Sequence, residues 1–173
     1  EQLAVGREVV LALDAVRGQL DAKDAETART AVKALQGWPD PAPAPDLLKV
    51  IKTTKDPVCK TLAFRGYIRM ANLSGDTTPE QRAGMYRQAL ELASTAEEKK
   101  AVLGGLTEAH SAAALQLAEG LLEEQAVKAE AELAVVEIAA NIRQADPERA
   151  RAALKKAIES TQNAGVKKKA QSI

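Results

Sequence analysis

Aromatic residues are almost missing from this chain: Trp38, Phe64, Tyr67 and Tyr86 are the full set in 173 residues. β-Branched residues are scarce as well, so the side chains that suit a pleated surface are not there to build a sheet. A lone cysteine, Cys59, rules out an intrachain disulfide. A lone histidine, His110, and the lack of any aspartate cluster leave little material for a catalytic or zinc-binding constellation. Neither sign of charge dominates, since 24 Lys and Arg balance 24 Asp and Glu. The positive field with which nucleic-acid binders neutralise phosphates is therefore lacking. No apolar run is long enough to cross a bilayer, and no basic-then-apolar leader precedes a cleavage site.

What is present is alanine and leucine in quantity, within a 46% hydrophobic content. Both residues lose little freedom on entering a helix, so the composition favours an all-α protein. Apolar residues recur at three and four: Leu115, Ala118, Leu121 and Leu122 share one face, and Leu154, Ala157, Ile158 and Thr161 another. Helix starts are marked by capping residues, most clearly Asp56-Pro57, Thr78-Pro79 and Asp146-Pro147, and Thr78 to Gln81 and Thr95 to Glu98 match the capping box. This spacing predicts helices near 3–18, 24–37, 46–54, 57–73, 79–94, 96–108, 111–123, 126–144, 147–161 and 164–173, with no strand. The one non-helical stretch runs from Trp38 to Pro45, where four prolines force an extended connector inside a single domain spanning 1–173.

The charges are unevenly placed. Glu119, Glu123, Glu124, Glu130, Glu132 and Glu137 face only Lys128 in one stretch, whereas Arg151 to Lys169 is basic apart from Glu159. The ordinary reading is a set of solvated helix faces.

Internal similarity is the strongest signal. Superposing Cys59 on Val127 sets Lys60 on Lys128, Ala63 on Ala131, Gly66 on Ala134, Tyr67 on Val135, Met70 on Ile138 and Ala71 on Ala139. Each segment reads as an amphipathic helix, an acidic turn, and a second helix apolar nearly all round. Such a hairpin cannot bury its faces alone, so neighbours must stack, small residues allowing close approach. The expectation is an α-α superhelix of about five antiparallel hairpins, with repeats roughly 30 to 40 residues apart.

This pattern of leucines, Asp-Pro-Val with a nearby basic residue, and alanine-spaced hydrophobics resembles the HEAT and armadillo-like families of helical repeats. The likeness covers Asp46 to Asn72 and Ser111 to Asn141 well, and Ala25 to Trp38 and Glu97 to Glu108 in part. The run from Leu62 to Ala71, followed by Glu97 to Leu106, is similar to HEAT segments of large exported bacterial proteins, some with sugar-active or haem domains elsewhere. That similarity implies a scaffold segment outside the cytoplasm, with any catalysis on other domains. The first helix has no clear cap and the Val166 to Ile173 stretch finishes on an apolar residue, so a piece of a longer chain is expected.

The candidate binding surface lies on the helix after Asp56, where Thr61, Arg65, Arg69 and Asn72 form a polar stripe on an otherwise apolar helix. Glu130, Glu137 and Asn141 belong to the comparable later helix. In a solenoid the second helix of each hairpin commonly lines the concave side, and an arginine there suits a carboxylate. The competing reading is that these side chains pair with neighbouring repeats and order the stack. Cys59 aligns with core Val127 and reads as a small buried hydrophobe, not a nucleophile. His110 reads as a turn residue, and Trp38 as packing at a helix end. Gly66 and Gly104-Gly105 follow no strand and match no phosphate loop, so close helix packing is expected of them. Asp14, Asp21 and Asp24, or Glu123 and Glu124, read as helix-end charges, not acid–base pairs. No metal or cofactor is called for.

Three functions follow. The first is a non-enzymatic module presenting a groove to a protein or peptide. The second is a spacer supporting catalytic domains of the same chain. The third resembles HEAT-like DNA glycosylases that excise alkylated bases, which need a basic concave face with aromatic residues; the neutral charge and four scattered aromatics speak against it.

Overall fold

The computed structural model describes residues 2–73 and 77–173, with the side chains of residues 2–7 and 9 excepted. Ten helices run in order among them: α1 Gln2–Arg17, α2 Ala25–Gln36, α3 Ala44–Thr53, α4 Pro57–Asn72, α5 Pro79–Leu92, α6 Ala96–Leu106, α7 Ala112–Glu119, α8 Lys128–Ile142, α9 Pro147–Ser160 and α10 Ala164–Gln171. No strand occurs among the described residues. The all-helical class read from composition is what the chain adopts.

The starts are set by the residues that cap them. Asp24 accepts from the Thr27 N–H at 2.8 Å and Asp56 from the Val58 N–H at 2.8 Å. Thr78 with Gln81, and Thr95 with Glu98, close the two predicted capping boxes. Each such cap satisfies backbone donors left free by the first turn and contributes about 1 kcal/mol.

Two boundaries differ from expectation. The connector is shorter than 38–45, because α3 already begins at Ala44 with proline in its first turn. Prolines there forfeit only N–H groups that have no helical partner in any case. The α7 helix ends at Glu119, not near 123, and the chain then tightens through bonds such as Leu121 N–H to Ala118 O at 3.1 Å and Val127 N–H to Glu124 O at 3.0 Å. These three-residue turns delay α8 to Lys128.

The chain forms two compact units, Glu1–Gly75 and Asp76–Ile173. In the first, α2 packs against α1 and α4, and α3 lies along α4. Leu35, Leu47, Phe64 and Met70 fill its core. Gly66 makes the close approach of α4 feasible: a Cβ there would lie 3.1 Å from both Gln36 Cα and Leu47 Cδ1. In the second unit, α5 packs on α6 and α7, α8 on α6 and α7, and α9 and α10 on α8 and each other. Tyr86, Leu103, Leu106, Leu115 and Ile138 are fully buried there. The Tyr86 hydroxyl donates to Gly105 O at 2.8 Å.

Gly104 departs from the packing role expected of it. It is exposed and an added Cβ would meet nothing within 4 Å. Nothing in the structure explains a glycine at this position.

The internal repeat is visible in burial. From Ala63 to Ala71 every residue is buried except Arg65 and Arg69, and from Ala131 to Ala139 every residue is buried except Leu133 and Glu137. Those exceptions occupy matching positions under the Cys59–Val127 superposition. Glu132 falls where Phe64 stands, and is the one buried carboxylate among the described residues.

Candidate functional site

Both α4 and α8 are helices enclosed on most sides, so each exposes only a narrow stripe. On α4 the stripe begins at Thr61, whose hydroxyl donates back to Pro57 O at 2.9 Å within its own helix. Arg65, one turn on, is exposed and makes no hydrogen bond or ion pair with the described residues. Arg69 reaches across to the end of α2, its Nη1 donating to Gln36 O at 3.1 Å and Trp38 O at 2.6 Å. A cation over the last carbonyls of a helix is favoured by the partial negative charge there. Asn72 is half-buried at the end of the stripe.

The second unit uses a related arrangement. Asn141, at the end of α8, donates through Nδ2 to Thr107 O at 2.9 Å, holding the end of α6. Glu137 accepts from Lys169 Nζ at 2.6 Å, and Glu130 lies 3.2 Å from Lys100. Four of the seven polar groups read as groove candidates, Arg69, Asn141, Glu137 and Glu130, thus tie one helix to another, and Thr61 is bonded within its own helix. Arg65 is open.

Ion pairs of this reach recur. Arg17 donates to Asp46 at 2.9 Å, Arg29 to Asp56 at 2.7 Å, and Lys99 to Glu124 at 2.7 Å. Arg149 grips Glu119 through both terminal nitrogens. Each joins residues 25 to 30 positions apart along the chain, and Glu137 with Lys169 ties the acidic stretch to the basic one.

The remaining candidates are placed singly. Asp14 pairs with Arg17 at 3.0 Å, Asp21 lies 3.7 Å from Lys49, and Asp24 is a cap. The Arg29 guanidinium holds the Asp56 carboxyl down at about 2, helped by the Val58 N–H. Cys59 is 4% exposed beside it, and burial with the Asp56 charge pushes its thiol up, away from the thiolate that a nucleophile requires. Trp38 is half-buried, and its indole N–H is buried without a partner. His110 is exposed before the α7 cap, on the wall of a 150 Å³ cavity shared with Arg82 and Glu108. One fixed charge of each sign there selects no ion by charge. No group of three or more His, Cys, Asp or Glu that could hold a metal ion exists among the described residues. None of their helices is long and apolar enough to cross a membrane.

Two features escaped the sequence reading. Glu132, 4% exposed, accepts from the Thr161 hydroxyl at 2.6 Å. Its alignment with Phe64 was the available signal. The other is a groove of 570 Å³ along α9, floored by Pro147, Ala150, Leu154, Ile158 and Ile173 and edged by Arg143, Arg151 and Lys155. The spacing of Leu154 and Ile158 places them on one helix face but does not say whether that face is covered.

No family model, curated protein or solved structure matches this chain.

Proposed function

We propose that the protein is a non-enzymatic interaction or scaffolding module, a HEAT-like α-solenoid whose hairpins stack on their neighbours and offer an exposed helical stripe to a protein or peptide. The observation that carries this reading is the paired opening at Arg65 and Leu133. In two helices whose flanking positions are all buried, the same repeat position is left exposed, Leu133 at 41%. Each opening belongs to its own unit: the exposed leucine on α8 offers aliphatic contact area, and the unpaired arginine on α4 offers a planar donor suited to carboxylates. The long-range ion pairs support the stacking part, since they join helices a hairpin apart.

The test is capture from an extract of the source cells with immobilised wild type and an Arg65→Glu, Leu133→Asp double variant, matched for helicity by circular dichroism. A protein retained by the first and lost from the second supports the reading. Equal capture by both removes these positions from it. Arg69→Ala is not a clean probe, because Arg69 also holds the end of α2.

A further inference from the structure

We infer that the cavity between the start of α8 and the turn from α9 to α10 binds a small polar zwitterion, an α-amino acid with its ammonium on Glu132 and its carboxylate at Lys128. The cavity measures 390 Å³ and is lined by Gln125, Lys128, Ala129, Glu132, Gln162 and Asn163, all within the second unit. Small-molecule sites begin at roughly 300 Å³ and usually have mostly apolar walls. Here every lining side chain except Ala129 is polar, so the space suits a ligand that is itself small and polar.

Glu132 is the anchor. The residue is 4% exposed, yet only one of its carboxylate oxygens is engaged, Oε2 accepting from the Thr161 hydroxyl at 2.6 Å. Oε1 has no hydrogen-bond partner among the described residues and is not sealed off from the cavity that Glu132 lines. A carboxylate oxygen in so enclosed a setting takes a donor, and a charged one most strongly. Lys128 stands one turn earlier on α8, lines the same cavity, and makes no hydrogen bond or ion pair with the described residues. The two residues are i and i+4, the spacing at which opposite charges on a helix ordinarily meet. Glu132 is bonded to Thr161 instead, so a cation and an anion line one cavity without pairing. The first turn of α8 has no side-chain cap, and its N–H groups add donors at the Lys128 end.

The charges exclude simpler ligands. A lone anion beside Lys128 would meet the Glu132 charge, and a lone cation on Glu132 would meet Lys128. A divalent metal ion would find a single carboxylate where it needs several oxygens. A zwitterion satisfies both charges at once. Residues i and i+4 are about 6 Å apart along the helix axis, a gap that an ammonium and a carboxylate on one carbon can span with a hydrogen bond at each end. The amides of Gln125 and Gln162 make no hydrogen bond with the described residues, and each offers donors and an acceptor to a polar side chain. The cavity includes neither Arg65 nor Leu133, so it stands or falls apart from the openings on α4 and α8.

The experiment is isothermal titration calorimetry with L-serine, L-asparagine and L-glutamine. Each is also titrated as its N-acetyl derivative, which lacks the ammonium, and as its carboxamide, which lacks the carboxylate. The proteins are wild type, Glu132→Gln, whose amide oxygen can still accept from Thr161, and Lys128→Gln, with circular dichroism confirming their helicity. The expected result is that at least one free amino acid binds wild type at least tenfold more tightly than either of its blocked forms. Glu132→Gln should abolish the advantage over the N-acetyl form, and Lys128→Gln the advantage over the carboxamide. Three results would overturn the proposal: no heat of binding from any of the free amino acids at about 10 mM, a blocked form that binds as tightly as the free one, or either variant keeping the wild-type preference. Lys128 is half-buried and unpaired, so Lys128→Gln and the blocked ligands decide the matter even where Glu132→Gln fails to fold.

Discussion

Arg149, in the first turn of α9, holds the Glu119 carboxylate at the end of α7 with both terminal guanidinium nitrogens, the longer bond measuring 3.2 Å. The side chains are 33% and 15% exposed, so the pair is shielded far better than Arg151 with Glu148, at 76% and 85%. A two-pronged bond needs the planar fork of arginine, which lysine does not supply. Arg149→Lys and Arg149→Ala are therefore both expected to lower unfolding stability by about 1–2 kcal/mol, whereas Arg151→Ala changes it by less than about 0.5 kcal/mol. Urea denaturation of the three variants checks this, and equal midpoints for Arg149→Lys and wild type would show that the fork is not needed.

Gly66 and Gly104 should respond to the same substitution with opposite signs. At Gly66 a methyl group would meet Gln36 Cα and the Leu47 side chain at 3.1 Å, so α4 must shift from α2 and α3. Gly66→Ala is expected to cost about 1–3 kcal/mol by overpacking. At Gly104 nothing lies within 4 Å, and alanine stiffens the unfolded chain and favours the helix. Gly104→Ala should raise stability by up to about 1 kcal/mol, read as a higher thermal midpoint.

These two glycines also mark how far the sequence could be read. Helix number, the class of fold and the starts of the side-chain-capped helices were legible because capping residues and apolar spacing are local properties, whereas α3 and α8, which have no side-chain cap, begin two residues away from the expected place. Burial along α4 and α8 was legible where the two segments repeat, and not at Glu132, where a carboxylate stands in place of Phe64. Gly66 and Gly104 look alike in sequence, and only the path of the neighbouring helices separates them. The same holds for the polar stripe. Arg65 and Arg69 occupy successive turns of α4, yet Arg69 reaches the carbonyls at Gln36 and Trp38 while Arg65 does not. That difference depends on where α2 ends in space. The α9 groove was illegible for a similar reason: spacing gives the apolar face of a helix but not whether a neighbour covers it.

Acid should loosen the first unit through Asp56. Its carboxylate accepts from Arg29 at 2.7 Å and from the Val58 N–H at 2.8 Å, which lowers its pKa from the ordinary 3.8 to about 2. A carboxyl more acidic when folded than when unfolded contributes stability that is complete above the unfolded value and disappears as pH falls through the folded one. Between about pH 4 and pH 2, wild type should lose stability more steeply than Asp56→Asn, and the two should converge at the acid end. Parallel curves for the two proteins, from urea midpoints across this range, would count against the Arg29 pairing.

The last expectation concerns Glu132, which stands in α8 where α4 has Phe64. The residue is 4% exposed, its carboxylate takes a hydrogen bond from Thr161 at 2.6 Å, and it has no cationic partner within ion-pair distance among the described residues. Removing the donor alone, as in Thr161→Val, leaves a buried charge short of a bond and should cost about 1–3 kcal/mol. Replacing both groups by apolar ones of similar volume, Glu132→Met with Thr161→Val, removes the desolvation penalty together with the bond. The double variant should then be more stable than Thr161→Val and close to wild type. A double-mutant cycle from urea denaturation measures the coupling. Additive single effects would show that Glu132 and Thr161 act independently, and that the position filled by Phe64 in α4 tolerates a carboxylate through solvent alone.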